Sequence, residues 1–132
     1  MANNPVFVDS SAFKALLDPK DDFYDTATNI WEFLKDLNTQ LITTNFILDE
    51  SYTLLRKRIG LEAVLELRDR LLADWPLIKI IRITAKDEAD AWLWFQNNWT
   101  DLSFTDCTSF AVMKRLGLAH VATFDKHFAQ AG

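Results

Sequence analysis

Asp9, Glu50, Asp106 and Asp125 are far apart in the chain, yet each lies just after an apolar strand or in the first turns of a helix. Asp9 follows Val6-Phe7-Val8, and Asp125 follows Val121-Ala122-Thr123-Phe124. Glu50 falls in the first turns of a helix that begins after the short run Gln40 to Thr43, and Asp106 opens another helical stretch. Carboxylates gathered in one place hold hard divalent cations such as Mg²⁺ or Mn²⁺, which prefer oxygen ligands. One ion, or a pair roughly 3.5–4 Å apart, lowers the pKa of a bound water and offsets charge on a phosphorus centre. Without an ion, crowded carboxylates repel one another and one pKa rises.

Each acid also has a plainer role open to it. Asp9, with Ser10 and Ser11 after it, can cap a helix. Ser103-Phe104-Thr105-Asp106 matches a capping box with Asp in place of Glu, and Asp125 can cap a final turn. Glu50 stands on the ridge Phe46–Glu50–Leu54, beside Ile47 and Ser51. A carboxylate on an apolar stripe is expensive unless a cation or a hydrogen-bond donor meets it, and a metal ion or a basic partner would do so. Alternatively it reaches the helix edge and stays in water. Capping by itself does not explain four acids meeting at one end. The chain offers no competing Cys–His or Ser–His pair: Cys107 is the lone cysteine, and His120 and His127 flank the last strand, where packing or surface roles suffice.

The elements that position these acids alternate. The strands are Pro5 to Val8, Gln40 to Thr43, Leu77 to Ile83 and Leu118 to Thr123. A helix follows Asp9-Ser10-Ser11 and breaks at Asp18-Pro19-Lys20-Asp21-Asp22. A second carries Phe23, Ala27, Ile30, Trp31, Leu34 and Leu37, and a third runs from Phe46 to Ile59. The fourth, Leu61 to Ala73, carries a stripe of Leu61, Val64, Leu65, Arg68, Leu71 and Leu72 and stops before Pro76. The fifth runs from Ala85 to about Asn98 behind the cap Thr84, the sixth from Ser103 to Gly117, and a last turn covers Asp125 to Ala129. Helices between all strands require a parallel sheet covered on both faces, whose ligands sit beyond the strands' carboxyl ends. That places all four acids together.

The 132 residues suit one domain, 1–132, with a core that needs no disulfide. Hydrophobic residues make up 49% and charged ones 25%, which excludes disorder, and no apolar run is long enough to span a membrane. Met1-Ala2-Asn3-Asn4-Pro5 has neither the charge nor the apolar core of a signal peptide, so a cytoplasmic location is expected. The net charge of −5 argues against a broad basic surface for duplex binding. Setting four acids aside for a metal site leaves 15 of the 19 against 14 Lys and Arg, a nearly neutral remainder.

Four segments in order resemble the PIN-domain family, and within it the VapC-type toxins of toxin–antitoxin pairs. They are Val6-Phe7-Val8-Asp9-Ser10-Ser11, Thr43-Thr44-Asn45-Phe46-Ile47-Leu48-Asp49-Glu50, Leu102-Ser103-Phe104-Thr105-Asp106 and Val121-Ala122-Thr123-Phe124-Asp125-Lys126-His127-Phe128. The resemblance spans nearly the whole chain. It implies an α/β fold, a PIN-like three-layer α/β/α sandwich with a central parallel sheet of four to five strands; family members commonly carry the fifth beyond the point where Gly132 falls. It implies a metal-dependent endoribonuclease that cuts single-stranded or loop RNA and leaves a 5′-phosphate and a 3′-hydroxyl. Asp9, Glu50, Asp106 and Asp125 would ligate Mg²⁺ or Mn²⁺. Ser10 and Ser103 would hydrogen-bond these acids, and Asp101 is an extra acid near the site or a solvated loop residue. Asp49 points about 100° away from Glu50 and reads as surface.

The same resemblance implies a homodimer and a cognate antitoxin laid in a groove near the first helices, for which Phe13, Leu16, Leu17, Leu54 and Leu55 are candidates when not spent on the core. Trp92, Trp94, Phe95 and Trp99 occupy more than one helical face, so one of them is left to stack on a base or to enter a protein interface. Arg56-Lys57-Arg58 and Lys114-Arg115 either complement helix dipoles or meet RNA phosphates. Two other functions compete. A non-catalytic PIN-like module for RNA or protein is disfavoured by the intact acid set. A phosphoacceptor receiver domain needs an acidic pair near its first strand, where this chain has Asp9-Ser10-Ser11.

Overall fold

The computed structural model describes residues 4–74, 77–96 and 102–124. Its sheet contains β1 (Val6–Val8), β2 (Leu41–Thr44), β3 (Ile78–Ile81) and β4 (His120–Ala122), all parallel and ordered β3-β2-β1-β4. Val6 stands opposite Leu41 on one side and His120 on the other, so β1 is central. Its Val-Phe-Val sequence suits a strand covered on both faces, and Phe7 is completely buried.

Paired helices fill every crossover. They are α1 (Ser10–Leu17) with α2 (Tyr24–Asp36), α3 (Asn45–Arg58) with α4 (Leu61–Ala73), and α5 (Ala85–Phe95) with α6 (Phe104–Leu116). The chain steps from β1 to β2 to β3 in one direction, then returns to the far side of β1. With right-handed crossovers, α1–α4 cover one face of the sheet and α5–α6 the other. Packing follows this division for most helices, with α1 touching α2, α3 and α4 and α5 pairing with α6, while α3 and α6 also meet. This is the α/β/α sandwich that the order of elements requires. No helix among the described residues is long and apolar enough to cross a membrane.

β3 and β4 are shorter than the runs Leu77 to Ile83 and Leu118 to Thr123, while β2 keeps its length one residue further on. β3 stops at Ile81 because the Ile83 N–H turns away to the Asn45 side-chain oxygen at 2.8 Å, and Thr84 then caps α5. β4 stops at Ala122 because Thr123 is drawn to Asp9. The inner face of α4 also differs from the leucine stripe. Ala63, Leu67 and Leu71 are buried, whereas Leu61 and Leu72 are 51% and 72% exposed. Ala63 and Leu67 form a ridge one position away from the leucine-rich one, and its small Ala lets α4 lie close to its neighbours. On α2 only Ala27 and Trp31 are buried. The fifth-helix residues Asn97 and Asn98 and the last turn from Asp125 to Ala129 lie outside the described residues, and α5 ends at Phe95 with Gln96 as its cap. Gly117 closes α6 in the left-handed region at φ 66°, a conformation that strains other residues.

The core runs through Phe7, Phe13, Leu41, Ile47, Leu55 and Val112. One buried charge joins α5 to α6. Asp87, 1% exposed, closes a capping box with Thr84 and receives Arg115 Nε and Nη2 on its two oxygens at 2.9 and 3.0 Å. Arg115 is therefore an internal partner rather than a free phosphate contact. Burial works to raise the Asp87 pKa, but the bonds from Arg115 and Thr84 outweigh it and hold the carboxyl below its usual range. Its contribution to stability is complete above the ordinary carboxylate pKa of about 4 and is lost as pH falls through the lowered value. Asp87→Asn is expected to cost about 2–4 kcal/mol at neutral pH, toward the lower end because Arg115 is partly open to water. Urea midpoints measured downward from neutral pH should fall less steeply in this variant than in the parent.

Candidate active site

Parallel strands all deliver the chain to the same end, and Asp9 is the first residue beyond β1. Its backbone is extended, its N–H reaches the Ala122 carbonyl at 3.3 Å, and its side chain caps α1. Only 3% of Asp9 is exposed. Such a carboxylate needs donors, and three converge on it. Oδ1 accepts from the Ala12 N–H at 3.1 Å and from the Ser11 hydroxyl at 2.8 Å, and Oδ2 accepts from the Thr123 hydroxyl at 2.6 Å. The Ser11 hydroxyl in turn accepts the Phe124 N–H at 2.8 Å, which ties the end of β4 to the start of α1. Donors on both oxygens fix the plane of the Asp9 carboxylate.

Glu50 approaches from α3. The Thr44 hydroxyl caps that helix by accepting the Ile47 N–H at 3.1 Å, and Glu50 follows in the second turn. The Ser10 hydroxyl donates to Glu50 Oε1 at 2.8 Å, linking the residue beside Asp9 to the second acid. Glu50 is half-buried and Asp49 exposed, as their places on the helix predict. The donor that meets Glu50 is thus a hydroxyl rather than a basic side chain. Neighbouring Ser51 is fully buried, with its hydroxyl unbonded among the described residues.

Asp106 is buried in the first turn of α6, which packs against α3. It forms a complete capping box. Its N–H donates to the Ser103 hydroxyl at 3.0 Å, and Ser103 returns its backbone N–H to Oδ2 at 3.4 Å. Ser103 therefore reaches the carboxylate through its backbone, its hydroxyl being taken by the cap. Asp101, Asp125, Trp99 and His127 lie outside the described residues. Among the described residues no three acidic, His or Cys side chains stand close enough together to hold an ion.

The oxygen-only donor set at this end fits a hard divalent cation. Cys107 adds no thiolate: it is fully buried, and burial, with the Asp106 charge adding to it, pushes the thiol up to about 11. Ser11 and Thr123 escaped the sequence reading. The available signal was position, since Ser11 lies two residues from an acid and Thr123 directly follows a strand. Of the aromatic residues, Trp94 packs inward on Phe110, while Trp92 is 52% exposed and joins Phe95 and Phe104 in a three-ring cluster. Phe13, Leu16, Leu17 and Leu55 are all buried. Phe13 and Leu16 also line a cleft of about 290 Å³ shared with Ile30 and Trp31 of α2 and with β4.

A parallel sheet in this order, with an acid held at the end of its central strand, belongs to a known class of protein. Residues 6–132 match the PIN domain model, and the chain is a member of the PIN-domain family. Within that family the likeness is to VapC toxins. The 23S rRNA-specific endonuclease VapC20 of Mycobacterium tuberculosis, in strains CDC 1551 and H37Rv, is 33% identical over 128 residues, covering 96% of this chain and 94% of the relative. The crystal structure of VapC20, described as a toxin that cleaves the sarcin-ricin loop, superposes with a TM-score of 0.85 at 32% identity, covering 96% of this chain and 95% of that one.

Ser11→Ala removes one donor from Asp9 and leaves the Phe124 N–H unpaired. It should cost about 1–3 kcal/mol by urea denaturation. Ser10→Ala should cost less, because half-buried Glu50 can turn to water.

Proposed function

We propose that this chain is a VapC-type toxin endoribonuclease that uses Mg²⁺ or Mn²⁺ to cut a structured RNA loop, with ribosomal RNA as its substrate class. The placement of Asp9 carries this reading: a buried carboxylate held by three donors at the carboxyl end of the central strand, with Ser10 beside it fixing Glu50. Near-full-length likeness to an rRNA-specific endonuclease supports the substrate.

Asp9, Glu50, Asp106 and Asp125 would hold the ion. When bound, it supplies Lewis acidity, lowering the pKa of a water and offsetting charge on the phosphate. The chain's own residues prepare the site. Ser11 and Thr123 fix the Asp9 plane, Ser10 fixes Glu50, and the Ser103 cap fixes Asp106 at the start of α6. Water, not the RNA's own 2′-hydroxyl, attacks the phosphorus and the 3′-oxygen leaves with a proton, so the products carry a 5′-phosphate and a 3′-hydroxyl, as in the family.

The protein works in the cytoplasm as a homodimer, with exposed Trp92 and Leu93 supplying part of the subunit interface. An antitoxin restrains it by covering the apolar cleft between α1 and α2, where Ile30 is 41% exposed.

Purified protein incubated with ribosomal RNA and with a mixed RNA pool should cleave in Mg²⁺ or Mn²⁺ and stop in EDTA. Glu50→Gln keeps the size and hydrogen bonding of the side chain but loses its charge, and it should lower cleavage by more than ~100-fold. Cleavage that survives chelation or leaves a 2′,3′-cyclic phosphate would refute this mechanism. Sedimentation should give about twice 15.2 kDa, and a monomer at every concentration would remove the dimer.

A further inference from the structure

The residue that follows each strand stands at the same end of the sheet. Across the order β3-β2-β1-β4 these residues are Arg82, Asn45, Asp9 and Thr123. Thr123 bonds Asp9, and Asn45 bonds the Ile83 backbone. Arg82 is exposed and has no acid partner among the described residues.

The other Lys and Arg side chains among the described residues are either occupied or placed elsewhere. Lys14, Lys35, Arg68, Arg70, Lys86 and Arg115 are all in ion pairs. Arg56, Lys57 and Arg58 end α3, whose first residue is Asn45, and the rise of the helix puts Arg58 about 20 Å along from it. Lys79 lies within β3, Lys20 in the α1–α2 connection and Lys114 near the end of α6. Arg82 is the one unpaired cation among the described residues that directly follows a strand. Asp87, the buried acid of α5, is already bound by Arg115.

The backbone that carries Arg82 is pinned on both sides. β3 lies before it, and after it come the Asn45–Ile83 bond and the Thr84–Asp87 capping box. Two strand spacings separate β3 from β1, roughly 10 Å. With its backbone that far from Asp9, the long side chain of Arg82 is within reach of a phosphate of the same strand neighbouring the one being cut. Its planar fork matches two phosphate oxygens.

We propose that Arg82 binds a backbone phosphate of the RNA flanking the cut, so that the strand crosses the sheet end from β1 over β2 toward β3. This rests on the endoribonuclease reading for the identity of the ligand. It adds a substrate-binding residue and the direction in which the substrate lies. The contact is to phosphate, so it sets grip and register rather than base choice.

The test measures a fluorescent RNA hairpin binding to Glu50→Gln protein, by anisotropy across a salt series, alongside cleavage by otherwise unaltered protein. Adding Arg82→Ala should weaken binding about tenfold and reduce the slope of log affinity against log salt by about 1. In the cleaving protein it should raise KM and leave kcat in place. Arg82→Lys keeps the charge without the fork and should recover part of the loss, while Arg68→Ala, on the outer face of α4, should change nothing. Unchanged affinity and salt slope in both Arg82→Ala and Arg82→Gln would overturn the proposal. So would an equal loss in Arg68→Ala, or no RNA binding by the Glu50→Gln parent. A parent that binds RNA while the unaltered protein cuts none would overturn the nuclease reading alone, with the Arg82 comparison still decisive.

Discussion

A carboxylate that is 3% exposed must be answered by hydrogen bonds, and much of the sheet's carboxyl end is arranged to answer Asp9. The donors come from the first turn of α1 and from the residue after β4. They are distant in sequence and meet only because β4 returns to pair beside β1. Satisfying this one charge closes the sheet, starts the first helix and fixes the acid in a single orientation. Ser11 shows the economy of the arrangement. Its hydroxyl serves the carboxylate and the Phe124 backbone at once, so the acid and the end of β4 are held by the same atom.

Capping and chemistry are the same interaction at several of these positions. Asp9 caps α1, and Asp106 completes the box that starts α6. A cap must sit at a helix N-terminus, and in a parallel α/β sheet the helix after a strand begins at the strand's carboxyl end, where ligands bind. The plain reading of these acids and the functional one therefore do not compete. The cap holds the plane of the carboxylate still. The Thr84–Asp87 box has the same form with a different outcome. There Arg115 takes both carboxylate oxygens, and the acid is spent on joining two helices.

The surface carries more apolar area than the fold needs for itself. Phe33 is 61% exposed on α2, Leu72 is 72% exposed on α4, and Leu93 is 71% exposed on α5. Single exposed apolar residues are ordinary. On α5, however, the exposed rings of Trp92 and Phe95 stand edge to face on one another, and apolar surface of this kind favours protein contacts.

The sequence by itself determined the alternation of strands and helices, the parallel sheet, the caps Asp9, Thr84 and Ser103, and the common end to which Asp9 and Glu50 belong. These follow from local signals: apolar runs, cap residues and helical spacing act over a few residues and survive any change of partner. Tertiary structure decided the rest. Which face of α4 turns inward was set by its neighbours: of the leucine stripe Leu71 is buried, together with Ala63 and Leu67, while Leu61, Leu65 and Leu72 face outward. That Thr123 serves Asp9, that Ser11 also holds the Phe124 N–H, that Asn45 ends β3, and that Arg115 is spent on Asp87 depended on contacts spanning 28 to 114 positions. A hydroxyl or a guanidinium carries no local mark of its partner. The partner is chosen by which backbone ends the sheet brings within bonding distance, and only the folded chain sets that distance.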